Sequence, residues 1–583
     1  MSTETHHGTP QFPAISGNIE PSTTEAMDSA IQGIQAHKDE WVGVPVSKRI
    51  SLLDNLIKDF SAIAPRWVAA GLQAKGIAED SPSVGEEWMT AAWAVVRNLR
   101  LLRQALIDIE TYERPRIPGP IKTLPNGQVV AQVFPQTAYD RLFFTGIRAE
   151  IWMQPGVSTE ELVQTQALAY QNKQHAGKVA LVLGAGNVAS IGPMDILYKM
   201  FVEDMVVIHK SNPVNTYLGP LLAEGFRALI EPGYLRLVYG GATEGAYLCN
   251  HPGVDEIHIT GSDKTFDAIV FGTGPEGAER KAQNRPQLTK RITGELGNVS
   301  PLIVVPGPWS KEDLAYQAEH IVSTLINNAG FNCNATRLII QQAEWEQRPQ
   351  LLQRIREMLS QVPPRKAYYP GAQDRQQAFV KAHPDAECIG KAGDGQLPWT
   401  LITGVAANTT NDICFTTEAF CGLFAETTLT AQNVIEYLER AVEFCNNQVW
   451  GSLSSTIIIH PQSLKDPAIA AALERAITAL RYGSIGVNYW GGASYALGVT
   501  TWGAFPGHAI NDIQSGTDVV HNALMFSRPQ KTVIRAPFRN ILKPLWFASQ
   551  GKAATRLFPK LTAFEADPSP LKVPGIVASA LQS

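Results

Sequence analysis

From Lys178 onward the chain repeats a pattern that leaves few folds open: a short, continuously apolar strand, a turn, then a helix-compatible segment. The strands are KVALVLG (178–184), MVVIHK (205–210), LRLVYG (235–240) and EIHITG (256–261). Strands apolar on both faces and separated by helical lengths predict a parallel sheet covered on both sides, an α/β fold. Ligands of such sheets bind beyond the carboxyl ends of the strands, so chemistry is to be sought in the loops that leave them.

The flanking sequence changes character around this core. From Thr24 to about Thr111 apolar residues recur at helical spacing, as in Ile50, Leu53, Leu56, Ile57 and Phe60, and predict a helical layer. Between 114 and 156, prolines and glycines punctuate short β-prone runs such as QVVAQVF and AEIWMQ, which read as a projecting arm. A helical stretch after Ser310, then the strand RLIIQ, opens a second α/β unit. These shifts divide the chain into a polar tail (1–22), a first α/β domain with its helical layer and arm (23–306), a second α/β domain (307–505) and a C-terminal extension (506–583).

Composition bounds the partners. A formal charge of -5 across 583 residues, with no basic-aromatic module, excludes nucleic acid and leaves small molecules. The N-terminus has no basic start followed by an apolar run, no stretch reaches 18 apolar residues, and six cysteines lack paired C-x-x-C spacing. A cytoplasmic protein without a metal site is expected, with His6 and His7 in a polar tail. From Met525 to Ser583, nine Lys and Arg face two acids, a net of +7, with Leu545, Trp546, Phe547 and Phe558 interleaved. Two readings follow: peripheral contact with an anionic membrane through 525–583, or packing on the chain's own domain, which the sequence favours.

Five loops carry candidate chemistry. GAGNVA (184–189) fits G-x-G-x-x-G/A, yet its glycines serve a tight turn equally well; within it Asn187 offers an amide donor suited to an oxyanion. HKSNP (209–213) places Lys210 where the dinucleotide fold usually has a ribose-binding carboxylate. ITGS (259–262) sets Thr260, Gly261 and Ser262 before a helix, as a pyrophosphate site or a helix cap. TGELGN (293–298) holds Glu295 at a strand end, as a general base or a surface acid. NNAGFNCNATR (327–337) surrounds Cys333 with amides, a poor setting for a structural thiol and one that favours thiolate.

Taken in order, G-A-G-N, H-K-S-N-P, I-T-G-S, G-E-L-G-N, N-A-G-F-N-C-N-A-T-R, E-A-F and I-G-V-N resemble the aldehyde dehydrogenase superfamily over roughly residues 25 to 510. The resemblance implies a Rossmann-like NAD(P)-binding domain, a second α/β catalytic domain and a small oligomerisation arm, assembled as a homodimer or homotetramer. It implies an aldehyde substrate and NAD or NADP as cofactor; Pro213, where NAD-preferring members often have glutamate, keeps both open. It assigns Cys333 as nucleophile, Asn187 to the oxyanion hole and Glu295 as the base for hydrolysis. Lys210 would bind the adenosine ribose, Thr260, Gly261 and Ser262 form the phosphate-contacting turn, and Glu418 and Phe420 of EAFCG lie at the nicotinamide ribose.

Segment 273–287 is expected as an inserted loop before Glu295. Tyr489, Trp490 and Trp502 are candidates for an apolar entrance or, equally, for the core. Two other functions remain open at this level: a CoA-acylating aldehyde dehydrogenase or fatty acyl-CoA reductase, against which Glu295 argues, and a non-catalytic scaffold, against which the joint presence of Cys333, Glu295 and Asn187 argues.

Overall fold

The computed structural model describes residues 19–172 and 174–581, so His6 and His7 lie outside the described residues. The helical layer is built on two long antiparallel partners, Val46–Lys75 and Ala94–Tyr112. Leu53, Leu56, Phe60, Leu99, Leu102 and Leu106 fall on one face of their helices, as the spacing predicts, and are buried. Between the two helices, Val84–Glu87 runs directly into a π-helical turn, Trp88–Trp93.

The arm is three strands, β1 (Ile121–Thr123), β2 (Val129–Phe134) and β3 (Arg148–Met153), paired antiparallel. The first parallel sheet follows: β4 (Val179–Leu183), β5 (Val206–Lys210), β6 (Leu235–Val238), β7 (Glu256–Gly261) and β8 (Arg291–Leu296). Their spatial order, β6-β5-β4-β7-β8, reverses direction beside β4, the point at which open α/β sheets bind ligands.

A second sheet takes β9 (Ser300–Val304), β10 (Thr336–Gln342), β11 (Glu387–Ile389), β12 (Trp399–Ala406), β13 (Leu423–Leu429), β14 (Ser454–Ile458) and β15 (Ser484–Val487). Downstream, β16 (Trp502–Gly503) bridges β18 (Val519–Val520), β17 (Gly516–Thr517) edges the first sheet beside β8, and β19 (Pro529–Arg535) enters the second. The second sheet is eleven-stranded, in the order β1-β2-β3-β19-β15-β14-β9-β10-β13-β12-β11. The arm strands therefore continue this chain's own second sheet through β19, which pairs antiparallel with β3 and parallel with β15.

Two expectations change, and the C-terminal segment takes the favoured of its two readings. The second sheet begins with β9 at Ser300, so the division falls between Leu296 and Ser300, not at 307. The stretch expected as an inserted loop contains a helix, Gly274–Ala282, with Pro275 in its first turn, Glu276 near its start and Arg280 and Lys281 near its end, the charge order a helix dipole favours. The C-terminal extension is woven into both sheets and the helical layer. Its aromatics turn inward: Phe547 and Phe558 are buried, and Trp546 packs against His320, Tyr489 and Trp490. Its cations bond to neighbours, Arg535 to Glu474 at 2.8 Å, Arg539 to Asp313 at 3.3 Å and Lys543 to Glu319 at 2.6 Å. Packing on its own chain replaces the reading of a membrane surface at 525–583. The same contacts take Tyr489 and Trp490 away from any entrance.

Candidate active site

The loops singled out in the sequence converge at the carboxyl edge of the first sheet, where it meets the second. Cys333 sits in the connection between helix Lys311–Ile326 and β10. That connection opens with three successive residues at positive φ: Asn328 (52°), Ala329 (54°) and Gly330 (82°). Glycine is required at the third, where a Cβ would lie 2.4 Å from the Cys421 carbonyl oxygen.

The turn is fixed by hydrogen bonds. Asn328 Nδ2 donates to the Asn187 carbonyl at 2.9 Å, to the Phe331 carbonyl at 3.1 Å and to Asn332 Oδ1 at 3.1 Å. Tyr368 Oη donates to the Asn187 carbonyl at 2.8 Å, and Arg337 donates to the carbonyls of Gly330, Asn332 and Cys421.

Asn187 lies where the sequence placed it, at the end of β4 and against the cysteine loop. Its Nδ2 donates to the Phe331 carbonyl at 2.9 Å, which leaves a second N–H on the same nitrogen. Packing explains Gly184 of GAGNVA and Gly192 just beyond the motif: a Cβ at Gly184 would lie 2.7 Å from His209 Cε1, and one at Gly192 3.0 Å from it. These residues admit the His209 ring from β5, in keeping with the turn reading of the motif.

Glu295 is buried on β8, and its carboxyl faces the Cys333 thiol. Trp502 Nε1 donates to its Oε1 at 3.2 Å. Burial pushes the Glu295 carboxyl up to about 8, with the charges of Asp195 and Glu418 adding to the rise. The Cys333 thiol is likewise held well above the ordinary thiol range, by burial and then by the facing Glu295 and Glu418. This corrects the expectation that surrounding amides favour thiolate: burial and two carboxyls outweigh the dipoles, and the resting sulfur carries its proton. Cys333 packs against an apolar cluster of Tyr198, Leu453, Trp502 and Val520, which Val202 and Tyr495 also join.

The residues assigned to a cofactor divide into two groups. Lys210, at the end of β5, is 8% exposed and has no hydrogen-bond partner among the described residues; burial draws its ammonium down to about 8. Ser262 caps helix Asp263–Phe271, with Oγ accepting from the Thr265 amide at 3.2 Å, and Gly261 beside it is exposed. Thr260 departs from expectation: its hydroxyl is buried and donates to Asp195 Oδ2 at 2.8 Å, away from the phosphate turn.

Glu418 accepts from the Asn298 amide at 3.3 Å, and burial raises its carboxyl to about 7 against the pull of Arg337 and Arg375. Phe420, at φ 42°, packs edge-on to Tyr369 at 4.9 Å. Among the described residues His383, Asp412 and Cys414 bring possible ligand atoms within 4.8 Å of one another. Asp412 Oδ1 already pairs with His383 Nε2 at 3.0 Å and accepts from the Cys414 amide at 2.9 Å.

Sequence reasoning missed Asn328, Tyr368, Asp195 and Glu86, all of which hold the site from behind. Asn328 carried a signal, since Asn-Asn-Ala-Gly suits a left-handed turn. The others carried none, because their roles arise from contacts between segments far apart in the chain.

Comparison with known proteins agrees with this layout. Residues 164–383 match the model of the aldehyde dehydrogenase family. N-succinylglutamate 5-semialdehyde dehydrogenase of Novosphingobium aromaticivorans is 28% identical over 173 residues, which are 30% of this chain and 33% of that protein. Human retinal dehydrogenase 2 is 27% identical over 294 residues, 48% of this chain and 49% of that protein. These matches thus span between a third and half of the relatives' length. In fold, the NADP-dependent glyceraldehyde-3-phosphate dehydrogenase of Bacillus halodurans C-125, solved with NADP, superimposes with a TM-score of 0.57 at 17% identity, over 88% of this chain and 92% of that one. Its sheet order, its cysteine loop and these likenesses agree in making the chain similar to the aldehyde dehydrogenase family, whose model matches residues 164–383.

Proposed function

We propose that the protein oxidises an aldehyde to a carboxylic acid with NAD or NADP, through a covalent intermediate on Cys333. The observation that carries this reading is the pairing of half-buried Cys333 with buried Glu295, a nucleophile facing a carboxyl whose proton affinity suits exchange near neutral pH.

The residues present fit a dinucleotide. Lys210 holds an unpartnered ammonium at a strand end, and the N-terminus of helix Asp263–Phe271 presents free backbone amides beside an exposed Gly261. Lys210 and the Ser262 turn would hold the adenosine ribose and the phosphates, and Glu418 the second ribose. Bound there, the nicotinamide supplies the hydride acceptor.

The chain's own residues supply the remaining steps. Ionised Glu295 takes the thiol proton as sulfur adds to the carbonyl carbon, giving a thiohemiacetal. The second N–H of Asn187 Nδ2 and the Cys333 backbone amide face the developing oxyanion. Loss of the carbon-bound hydrogen with its electron pair leaves a thioester. Glu295, ionised again, takes a proton from water as the water oxygen attacks; the C–S bond breaks and sulfur regains a proton. The aromatic wall of Tyr198, Tyr495 and Trp502 favours an apolar aldehyde and excludes bulk water.

The test is reduced-nicotinamide absorbance with a medium-chain aldehyde, NAD or NADP, with and without CoA, beside Cys333→Ala. CoA-independent reduction that vanishes in the variant supports the reading. Turnover that requires CoA would assign the acylating reaction, and silence with every aldehyde would leave a non-catalytic member of the fold.

A further inference from the structure

The left-handed turn ahead of the nucleophile places two non-glycine residues, Asn328 and Ala329, in a backbone region that costs on the order of 1 kcal/mol or more each. Such a turn persists only where its surroundings over-determine it. Most of its bonds come from the two α/β units, but one anchor comes from the helical layer. Glu86, on the short helix Val84–Glu87, accepts from the Asn328 backbone amide at 2.5 Å through Oε1.

Both Glu86 carboxylate oxygens also accept from Arg365 Nη1 at 3.1 Å, and the same nitrogen donates to the Ile326 carbonyl at 3.3 Å. The pair thus grips the chain on both sides of Asn327. The ion pair is shielded, with side-chain exposures of 17% and 18%, so its attraction is less screened than at an open surface.

What holds Glu86 is itself distinctive. Glu87 forms a buried ion pair with Lys75 at 2.7 Å, fastening the short helix to Val46–Lys75. Its other support is the C-terminal helix Gly551–Ala566. The Gly85 amide donates to Thr555 Oγ1 at 3.0 Å, and a Cβ at Gly85 would lie 2.3 Å from the Thr555 backbone nitrogen. Two turns of helix therefore meet at backbone contact one residue from Glu86. Met89, Trp93, Ala554 and Phe558 close the same junction as an apolar cluster, with the Trp93 and Phe558 rings 5.7 Å apart.

We propose that Glu86 is a positioning residue for Cys333, and that the C-terminal helix Gly551–Ala566 acts on the nucleophile loop by holding Glu86 in place. A segment that reads in sequence as a basic appendage is on this account part of the catalytic apparatus, 470 residues along the chain from the helix it supports. The proposal rests on the reading of Cys333 as nucleophile, and its test separates the two.

Glu86→Ala, Glu86→Gln and Thr555→Ala are compared with the full-length chain in two assays. The first is aldehyde oxidation, resolved into kcat and the KM for the cofactor. The second is alkylation by iodoacetamide, read by peptide mass spectrometry as the rate at Cys333 relative to that at exposed Cys388. Glu86→Ala is expected to lower kcat tenfold or more with the cofactor KM unchanged, and to shift the Cys333-to-Cys388 ratio by at least threefold. Glu86→Gln keeps an acceptor for the Asn328 amide and recovers most of both values; Thr555→Ala changes both in the same direction but less.

Wild-type kcat and alkylation ratio in Glu86→Ala would overturn the proposal. So would a loss that Glu86→Gln does not relieve, or wild-type values in Thr555→Ala, which would sever the C-terminal link. If Glu86→Ala does not fold, Glu86→Gln and Thr555→Ala decide: loss in Thr555→Ala with near-wild-type Glu86→Gln supports the proposal, and any other pairing overturns it. Should the wild-type protein oxidise no aldehyde, the functional reading fails while the alkylation ratio still judges the anchor.

Discussion

At the scale of single residues, the state of a side chain is decided by what faces it in three dimensions. Cys333 was singled out in the sequence because amides surround it. Its protonation was not legible, because Glu295 and Glu418 approach from 38 residues before and 85 after. The same is true of Thr260, whose hydroxyl turns to Asp195 on a neighbouring helix. Glu295 gives a pH test. With its carboxyl pushed up to about 8, it is mostly protonated at neutral pH and unable to accept a proton. The rate should therefore climb as pH rises through about 8 and level off above it. Measured from pH 6 to 10, kcat of wild-type enzyme shows this limb, whereas Glu295→Gln removes it and lowers kcat by about 10²–10⁴. A limb that survives in the variant would assign the titration to another group.

Elements were legible where one periodicity ran unopposed and obscure where a local signal pointed elsewhere. The strands β4, β5, β6 and β7 follow directly from apolar runs. Helix Gly274–Ala282 was obscured by its Gly-Pro start, which marks a turn in isolation and a first helical turn in context. Strand β19 was hidden in a segment defined by its positive charge. Its Lys531 is 1% exposed, and Nζ donates to the carbonyls of Ile477 at 3.0 Å, Thr478 at 3.0 Å and Leu480 at 2.6 Å.

When protonated, Lys531 satisfies the last carbonyls of helix Pro467–Ala479 and meets the negative end of its dipole, while burial draws its ammonium down to about 7. Lys531→Met keeps the length of the side chain but removes three donors, leaving buried carbonyls unpaired. A destabilisation of about 2–4 kcal/mol is expected from the lost bonds. It should appear as a lower urea midpoint, and a midpoint within error of wild type would show that water replaces the ammonium.

Over the whole molecule, the chain closes through its last 80 residues, which visit the first sheet at β17, the second at β19 and the helical layer at Gly551–Ala566. Arg97 joins these parts. It is 1% exposed and donates to Glu565 Oε1 at 2.6 Å, to Asp140 Oδ1 at 3.0 Å and to the Leu497 carbonyl at 3.0 Å. No local pattern could announce it, because its partners lie 43, 400 and 468 residues away. Replacing Arg97 by methionine keeps volume and strands the carboxylates, a loss of about 3–5 kcal/mol for a broken buried pair.

Linkage fixes how that loss varies with pH. Burial opposes ionisation of Asp140, but Arg97 and Arg100 hold its carboxyl below the usual range, so its contribution is present above the unfolded value and lost only as pH falls through the lower folded one. Wild-type stability owes no slope to Asp140 between pH 5 and 8. In Arg97→Met burial acts with less opposition, the folded carboxyl titrates higher than the unfolded one, and stability falls as pH rises through that value. The gap in melting temperature between the two proteins should therefore narrow from pH 8 to pH 5. A gap constant across that range would mean that Arg100 alone compensates Asp140, and that the cost of Arg97→Met comes from packing and the Leu497 carbonyl.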